Sequence, residues 1–255
     1  MAFLEMNFHS DELGRGVSVN VILPEKAKSM IGMEGKQQTK YKTLYLLHGL
    51  SDDHSVWMRR TSIERYATQR GIAVVMPAVE RSWYTDTAYG ANYFTFITKE
   101  LPEVCRNYFG GMSHLREDNF IAGLSMGGYG ALKAALTYPE NYAGCASLSG
   151  ALDIVDFFDY LDIKEWRANF GFEIEKASQV EGTKEDLFYL ADNAAKFGRI
   201  YMCCGTEDGI LSHSRKFHNK LQSLGVEHVY EESSGNHSWK YWDENIEKAL
   251  DYLFG

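Results

Sequence analysis

The chain has 255 residues, 45% of them hydrophobic and 24% charged, which fits one large α/β domain with a substantial core and is short for two. Its formal net charge of −9 argues against nucleic acid or an anionic membrane as a partner, because both favour basic patches. The opening stretch, MAFLEMNFHSDELGRG, carries acids early and lacks a long apolar core, so no signal peptide is expected; no apolar run approaches the ~20 residues that span a bilayer.

In chain order, Val17–Leu23 alternates and reads as an early strand, paired with the residues before it in an antiparallel edge hairpin. A polar connection around Gly32–Lys40 follows. Thr43–Leu47 is a nearly continuous apolar run, the pattern of a strand buried on both faces. Ser55–Arg70 is helical in pattern and stops at Gly71. Ile72–Met76 is a second buried strand, closed by Pro77, and a long loop over Ala78–Gly90 leads to a helix, Asn92–Phe109, bent at Pro102.

Phe120–Ala122 then reads as a short strand, followed by a sharp turn and an Ala- and Leu-rich helix ending near Tyr138. After a strand at Tyr142–Leu148, the segment Ala151–Ala195 breaks the rhythm. It is acidic and aromatic, helix-like around Val155–Leu161 and Lys184–Ala194, and has no clear strand. It reads as a cap-like insertion over the sheet's C-terminal edge. Alternation resumes with a strand at Arg199–Cys204, a helix at Ser212–Leu224, a strand at Glu227–Glu231 and a helix at Trp239–Phe254. The expected architecture is one domain over 1–255 with an insertion at about 151–195. Its sheet is mostly parallel, with helices on both faces and ligands bound where the strands end.

The four cysteines (Cys105, Cys145, Cys203 and Cys204) fall inside expected strands or helices without metal-ligand spacing. Cys203 and Cys204 should point to opposite faces of one strand. Buried free thiols in a reducing cytoplasm are the expectation.

The turn Gly123-Leu124-Ser125-Met126-Gly127 fits G-x-S-x-G between a strand and a helix. A chain that reverses around one serine strains that residue and leaves no room for side chains two positions to either side, hence the glycines. Ser125 is the candidate nucleophile, and the Met126 N–H is free to meet a developing oxyanion. Activating a serine hydroxyl takes a base held in one tautomer by an acid, in chain order Ser…Asp…His in this architecture. Of eight histidines, only His237 lies on a loop after a late strand; His213, His218 and His228 read as surface or packing residues. Asp208 is the preferred acid because it sits one position further into its turn than Glu207, which stays open as the alternative.

The second oxyanion donor is expected at Leu50 N–H, since His48-Gly49-Leu50 follows a buried strand and its glycine permits close backbone approach. His48 precedes the elbow and reads as support for that loop. Asp52, Asp53 and His54 fit an acidic helix start better than a metal site, and no metal is expected. Trp83 and Tyr84, with Tyr89, can wall a pocket or anchor their own loop; Trp239, just past His237, is a further candidate for substrate contact.

Together, Leu46-Leu47-His48-Gly49, Trp83-Tyr84-Thr85-Asp86, Gly123 through Gly130, Cys204 through Asp208 and Asn236 through Trp242 resemble the tributyrin esterases. These belong to the esterase D group of α/β-hydrolases, together with the S-formylglutathione hydrolases. The resemblance implies an α/β-hydrolase fold and a short-chain carboxylesterase using Ser125, Asp208 and His237, with no cofactor and a small-molecule ester as substrate. It leaves a homo-oligomer open. The glutathione-thioester branch carries a serine before the oxyanion-loop glycine and a cysteine shortly after. Here His48 precedes Gly49, and Ser51 and Asp52 follow Leu50, which argues against S-formylglutathione. S-formylglutathione hydrolase and feruloyl or sugar-acetyl esterase stay open as alternatives, followed by acyltransferase and a non-catalytic binding protein.

Overall fold

A computed structural model describes residues 1–25, 40–192 and 197–255. The first element is an antiparallel hairpin of β1 (Ala2–Ser10) and β2 (Arg15–Leu23). It is followed by β3 (Thr43–Leu47), α1 (Val56–Arg60), α2 (Ile63–Arg70) and β4 (Ala73–Pro77). A helical stretch runs through α3 (Tyr93–Thr95), a π-turn (Phe96–Glu100) and α4 (Leu101–Tyr108). Next come β5 (Asn119–Leu124), α5 (Met126–Thr137) and β6 (Gly144–Leu148). The segment after β6 carries α6 (Ile163–Phe170) and α7 (Leu187–Leu190), and the chain closes with β7 (Ile200–Gly205), α8 (Leu211–Ser223), β8 (Val229–Ser233) and α9 (Trp239–Phe254).

The eight strands form one sheet in the order β1-β2-β4-β3-β5-β6-β7-β8. From β4 through β8 all neighbours are parallel, while β2 meets both β1 and β4 antiparallel. Every residue of β3, β4, β5, β6 and β7 is buried, as expected for strands covered on both faces. Alternate residues feed two cores. Leu44, Leu46, Phe120 and Cys203 pack with Trp57, Ile63, Ile246 and Leu250 from α1, α2 and α9. Tyr45, Leu47, Ile121 and Met202 pack with Leu101, Tyr129, Leu132 and Phe217 from α4, α5 and α8. Fully burying one such large apolar side chain contributes about 1.5–3 kcal/mol.

The single helix expected over Ser55–Arg70 is two helices, broken at Thr61 and Ser62. The stop at Gly71 is present, in the left-handed region at φ 66°. The helix expected over Asn92–Phe109 widens into the π-turn just before Pro102, whose missing N–H cannot close an ordinary turn. Within the segment after β6 that was expected as an insertion, α6 was not anticipated, although Asp162 caps it (Lys164 N to its carboxylate, 2.7 Å) and Gly171 follows its end. The polar connection expected around Gly32–Lys40 lies, up to position 39, outside the described residues. So do positions 193 and 194 at the end of the stretch expected as Lys184–Ala194. Among the described residues, no helix is long and apolar enough to cross a membrane.

Candidate active site

The site is built at the C-terminal ends of the parallel strands. Ser125 follows β5 directly and has φ 52° and ψ −118°, a strained conformation for a residue with a side chain. Its N–H is fixed on Leu148 O (3.0 Å). A Cβ at Gly123 would lie 2.3 Å from Gly127 O, and one at Gly127 would lie 2.5 Å from Leu47 O. The two glycines therefore permit the close approach that lets β5 turn straight into α5.

Asp208 sits in the turn after β7, where its N–H bonds Gly205 O (3.1 Å) and its carboxylate accepts Ile210 N–H (3.0 Å). The following loop, after β8, is zipped onto this turn: Thr206 N–H reaches Ser233 O (2.9 Å) and Glu207 N–H reaches Gly235 O (3.0 Å). That pairing delivers His237. Its Nδ1 lies 2.9 Å from Asp208 Oδ2 and its Nε2 lies 3.1 Å from Ser125 Oγ. Trp242 meets the imidazole edge-on, with centroids 4.9 Å apart. Burial by itself pushes the Asp208 carboxyl up, but the hydrogen bond and charge of His237, with Ile210 N–H, bring it below the usual carboxylate range. Glu207 points elsewhere. Its exposed carboxylate accepts Gly235 N–H (2.5 Å), which holds it below its ordinary value. The structure thus brings Ser125, His237 and Asp208 into one hydrogen-bonded chain and leaves Glu207 outside it.

His48 is buried and plays no part in that chain. Its Nε2 accepts Val79 N–H (3.0 Å), so the proton sits on Nδ1, which donates to Gly49 O (2.7 Å). The Tyr84 hydroxyl donates to His48 O (2.9 Å). These three bonds clamp the loop that carries Leu50. Gly49 abuts the elbow: a Cβ there would meet Leu124 Cδ1 at 2.8 Å and Ser125 Cβ at 3.7 Å. Among the turn and loop hydrogen bonds of the described residues, neither Leu50 N–H nor Met126 N–H has a backbone acceptor.

Burial lowers the His48 pKa to about 4, against an ordinary value near 6.5. Between those values the unfolded chain takes up a proton that the fold refuses, so stability falls as pH drops from 6.5 towards 4. The contribution is complete above pH 6.5 and is on the order of 3 kcal/mol. Urea midpoints measured from pH 7 to 4.5 should therefore fall steadily. A flat profile would show that His48 charges freely in the folded protein.

The expected pocket walls fare unevenly. Trp83 and Tyr84 are 1% and 0% exposed, so they brace the fold and present no open surface to a substrate. Trp83 is packed between Tyr129 (5.8 Å) and Phe157 (5.1 Å), and the Tyr84 hydroxyl is spent on His48 O. Trp239 is partly buried and meets Trp57 and Trp242 edge-on, at 5.3 and 5.2 Å. Asp53 accepts Ser55 N–H (2.8 Å) and the Ser55 hydroxyl (2.6 Å) in the turn before α1, but among the described residues no side chain caps that helix and its first turn carries no acid, so the expected acidic helix start is a turn ahead of the helix. His218 and His228 bond each other through Nδ1 and Nε2 at 2.8 Å, and His213 is buried under the insertion, against Phe157. The four thiols are free and buried. Burial pushes Cys105, Cys203 and Cys204 up to about 12 and Cys145 higher, so none is a thiolate at neutral pH.

Sequence reasoning missed the support behind the elbow. Lys133 of α5 is 1% exposed and donates to Tyr84 O (3.0 Å) and to the Glu185 carboxylate of the insertion. The signal was a lone lysine within an otherwise apolar helical run, GGYGALKAAL. The insertion is also stapled to the Ala78–Gly90 loop, through Arg81 to Glu165 (2.8 Å), Asn169 Nδ2 to Arg81 O (3.0 Å) and Ala88 N–H to Ala168 O (2.9 Å).

The sheet order and the serine elbow define the protein as an α/β-hydrolase-like domain. The chain belongs to the esterase family whose model, described as "Putative esterase", matches residues 10–253. It is 32% identical over 266 residues to an acetyl esterase of Caldicellulosiruptor saccharolyticus, covering 99% of this chain and 98% of that one. Two Staphylococcus aureus structures are each 35% identical to it. One is fluorophosphonate-binding serine hydrolase F, FphF, with a TM-score of 0.89, covering 100% of this chain and 98% of that one. The other is S-formylglutathione hydrolase FrmB, with a TM-score of 0.86 and coverage of 100% and 99%.

Proposed function

We propose that this esterase hydrolyses short-chain carboxylic esters through an acyl-enzyme, as the narrower resemblance to tributyrin esterases implies. The observation that carries the reading is the Asp208–His237–Ser125 hydrogen-bonded chain, at 2.9 and 3.1 Å, with Ser125 held at φ 52° on the elbow. His237 Nε2 takes the Ser125 proton as Oγ attacks the ester carbonyl. Leu50 and Met126 N–H groups receive the tetrahedral oxyanion. His237 then protonates the departing alcohol and afterwards deprotonates the water that releases the acid, while Asp208 keeps the proton of His237 on Nδ1. Small-molecule esters are the partners this reading requires, and the buried free thiols fit a reducing, cytoplasmic setting.

The test is a series of p-nitrophenyl esters from acetate to decanoate, together with mass spectrometry after fluorophosphonate labelling. Turnover that falls with acyl length, and a single adduct on the Ser125 peptide, is the expected result. An adduct elsewhere, or a rate that rises with chain length, would overturn the assignment. One second reading has a specific observation behind it. The S-formylglutathione hydrolase FrmB is 35% identical along the whole chain, so the sequence argument from His48 against a thioester substrate is not sufficient. A kcat/KM for S-formylglutathione well above that for p-nitrophenyl acetate would favour the thioester.

A further inference from the structure

A polar cavity of about 300 Å³ lies at the end of the sheet opposite the serine, where the parallel strands begin. Its lining includes Tyr45 of β3, Tyr142 just before β6, and Lys99, Glu103 and Arg106 from the π-turn and α4, together with His114. Asn119 at the start of β5 also lines it and lies six positions before Ser125, so the cavity is roughly 20 Å from the serine along the strand.

Three polar atoms around this cavity are buried without a partner among the described residues: the hydroxyls of Tyr45 and Tyr142, and Arg106 Nε. The two tyrosines are 2% and 1% exposed, with rings edge-to-face at 6.4 Å. An unmet buried donor costs about 1–3 kcal/mol, so three of them around one cavity call for an acceptor. Each of the three can donate. Arg106 Nε can only donate, and burial raises both phenols far above their ordinary pKa, so they stay protonated and able to donate. Asn119 donates its side-chain N–H₂ to Ser113 O (3.0 Å) and Leu115 O (2.7 Å), and neither tyrosine hydroxyl nor Arg106 Nε reaches its oxygen. Lys99 and Arg106 outnumber the single carboxylate, Glu103. In a chain of net charge −9, such a basic, donor-rich cavity is a local exception.

We propose that this cavity is a binding site for a small oxyanion, a carboxylate or a phosphate, held by Arg106 and the hydroxyls of Tyr45 and Tyr142. The site is separate from the serine and takes no part in ester cleavage. Its ligand stabilises the fold by filling donors that are otherwise buried unpaired.

The experiment is titration of the full chain with sodium phosphate, acetate and succinate at fixed ionic strength, followed by calorimetry and by thermal melting, with sodium chloride as the reference. Saturable binding and a saturating rise in Tm are expected for at least one of the three anions. Saturation by phosphate alone identifies a phosphate site, and saturation by acetate or succinate identifies a carboxylate site. Arg106→Gln should weaken that binding about tenfold or more, because it removes a charged donor. Tyr142→Phe should weaken it several-fold while leaving the ligand-free Tm unchanged or higher, since its hydroxyl has no partner to lose. An anion lodged only at the serine would bind both variants as it binds the wild type. That outcome, or the absence of saturation by all three anions, would overturn the proposal.

Discussion

An Asp208→Asn variant should fold normally and lose about four orders of magnitude in kcat on a p-nitrophenyl ester. The Asn side chain has the same shape and can still accept Ile210 N–H through its oxygen, a bond of 3.0 Å in the native chain. What it cannot do is hold His237 in the required tautomer. An amide N–H₂ turned towards Nδ1 donates to it, which leaves the proton on Nε2, the atom 3.1 Å from Ser125 Oγ. An imidazole that presents a proton to the serine cannot take one. Glu207→Gln is the matched control, since that carboxylate is exposed and bonded to Gly235 N–H. It should leave kcat within a few-fold of wild type. A large loss in Glu207→Gln, with Asp208→Asn close to wild type, would mean that the adjacent acid, and not Asp208, orients the histidine in solution.

The second large effect is on stability. Lys133→Met should destabilise the fold by about 3–5 kcal/mol, because it strands the Glu185 carboxylate in the interior. Both partners are nearly inaccessible, and Phe94 presents its ring 4.6 Å from the ammonium. Burial lowers the Lys133 pKa, and the pairing with Glu185 opposes that shift. The double variant Lys133→Met with Glu185→Leu removes both charges and should recover most of the loss in urea denaturation. Its activity should stay below wild type. Lys133 also donates to Tyr84 O, and the Tyr84 hydroxyl holds His48 O beside the proposed oxyanion donor Leu50. If the double variant recovered both stability and full kcat, the link from Lys133 to the oxyanion loop would be wrong.

Much of the frame was legible because its signals are local. A run of apolar residues too short for a helix marks each buried parallel strand, and β3 was expected at its observed bounds, as was α9. The G-x-S-x-G turn carries its own steric reason, visible in the collisions that a Cβ would make at Gly123 and Gly127. Chain order narrowed the candidate base and acid to His237 and the Glu207-Asp208 pair. The α6 helix was legible too, from its Asp162 cap and the Gly171 after its end, but the acidic, aromatic composition of the insertion hid it.

The sequence by itself determined the alternation of strands and helices, the elbow and the three side-chain types at strand ends, because each depends on neighbours a few residues away. Tertiary structure decided what depends on partners far along the chain. The break between α1 and α2 is fixed by Asp243 of α9, whose carboxylate accepts Ser62 N–H (2.9 Å) and the Tyr66 hydroxyl (3.1 Å). The exclusion of Glu207, which the sequence left open beside the preferred Asp208, came from the zipped turns after β7 and β8, which aim one carboxylate at His237 and the other at Gly235 N–H. Trp83 and Tyr84 became internal braces because the insertion and α5 close over them, with Phe157 on the first ring and Lys133 on the second residue's carbonyl. Periodicity carries no information about a hydrogen bond 181 residues distant, and only the packed fold supplies it.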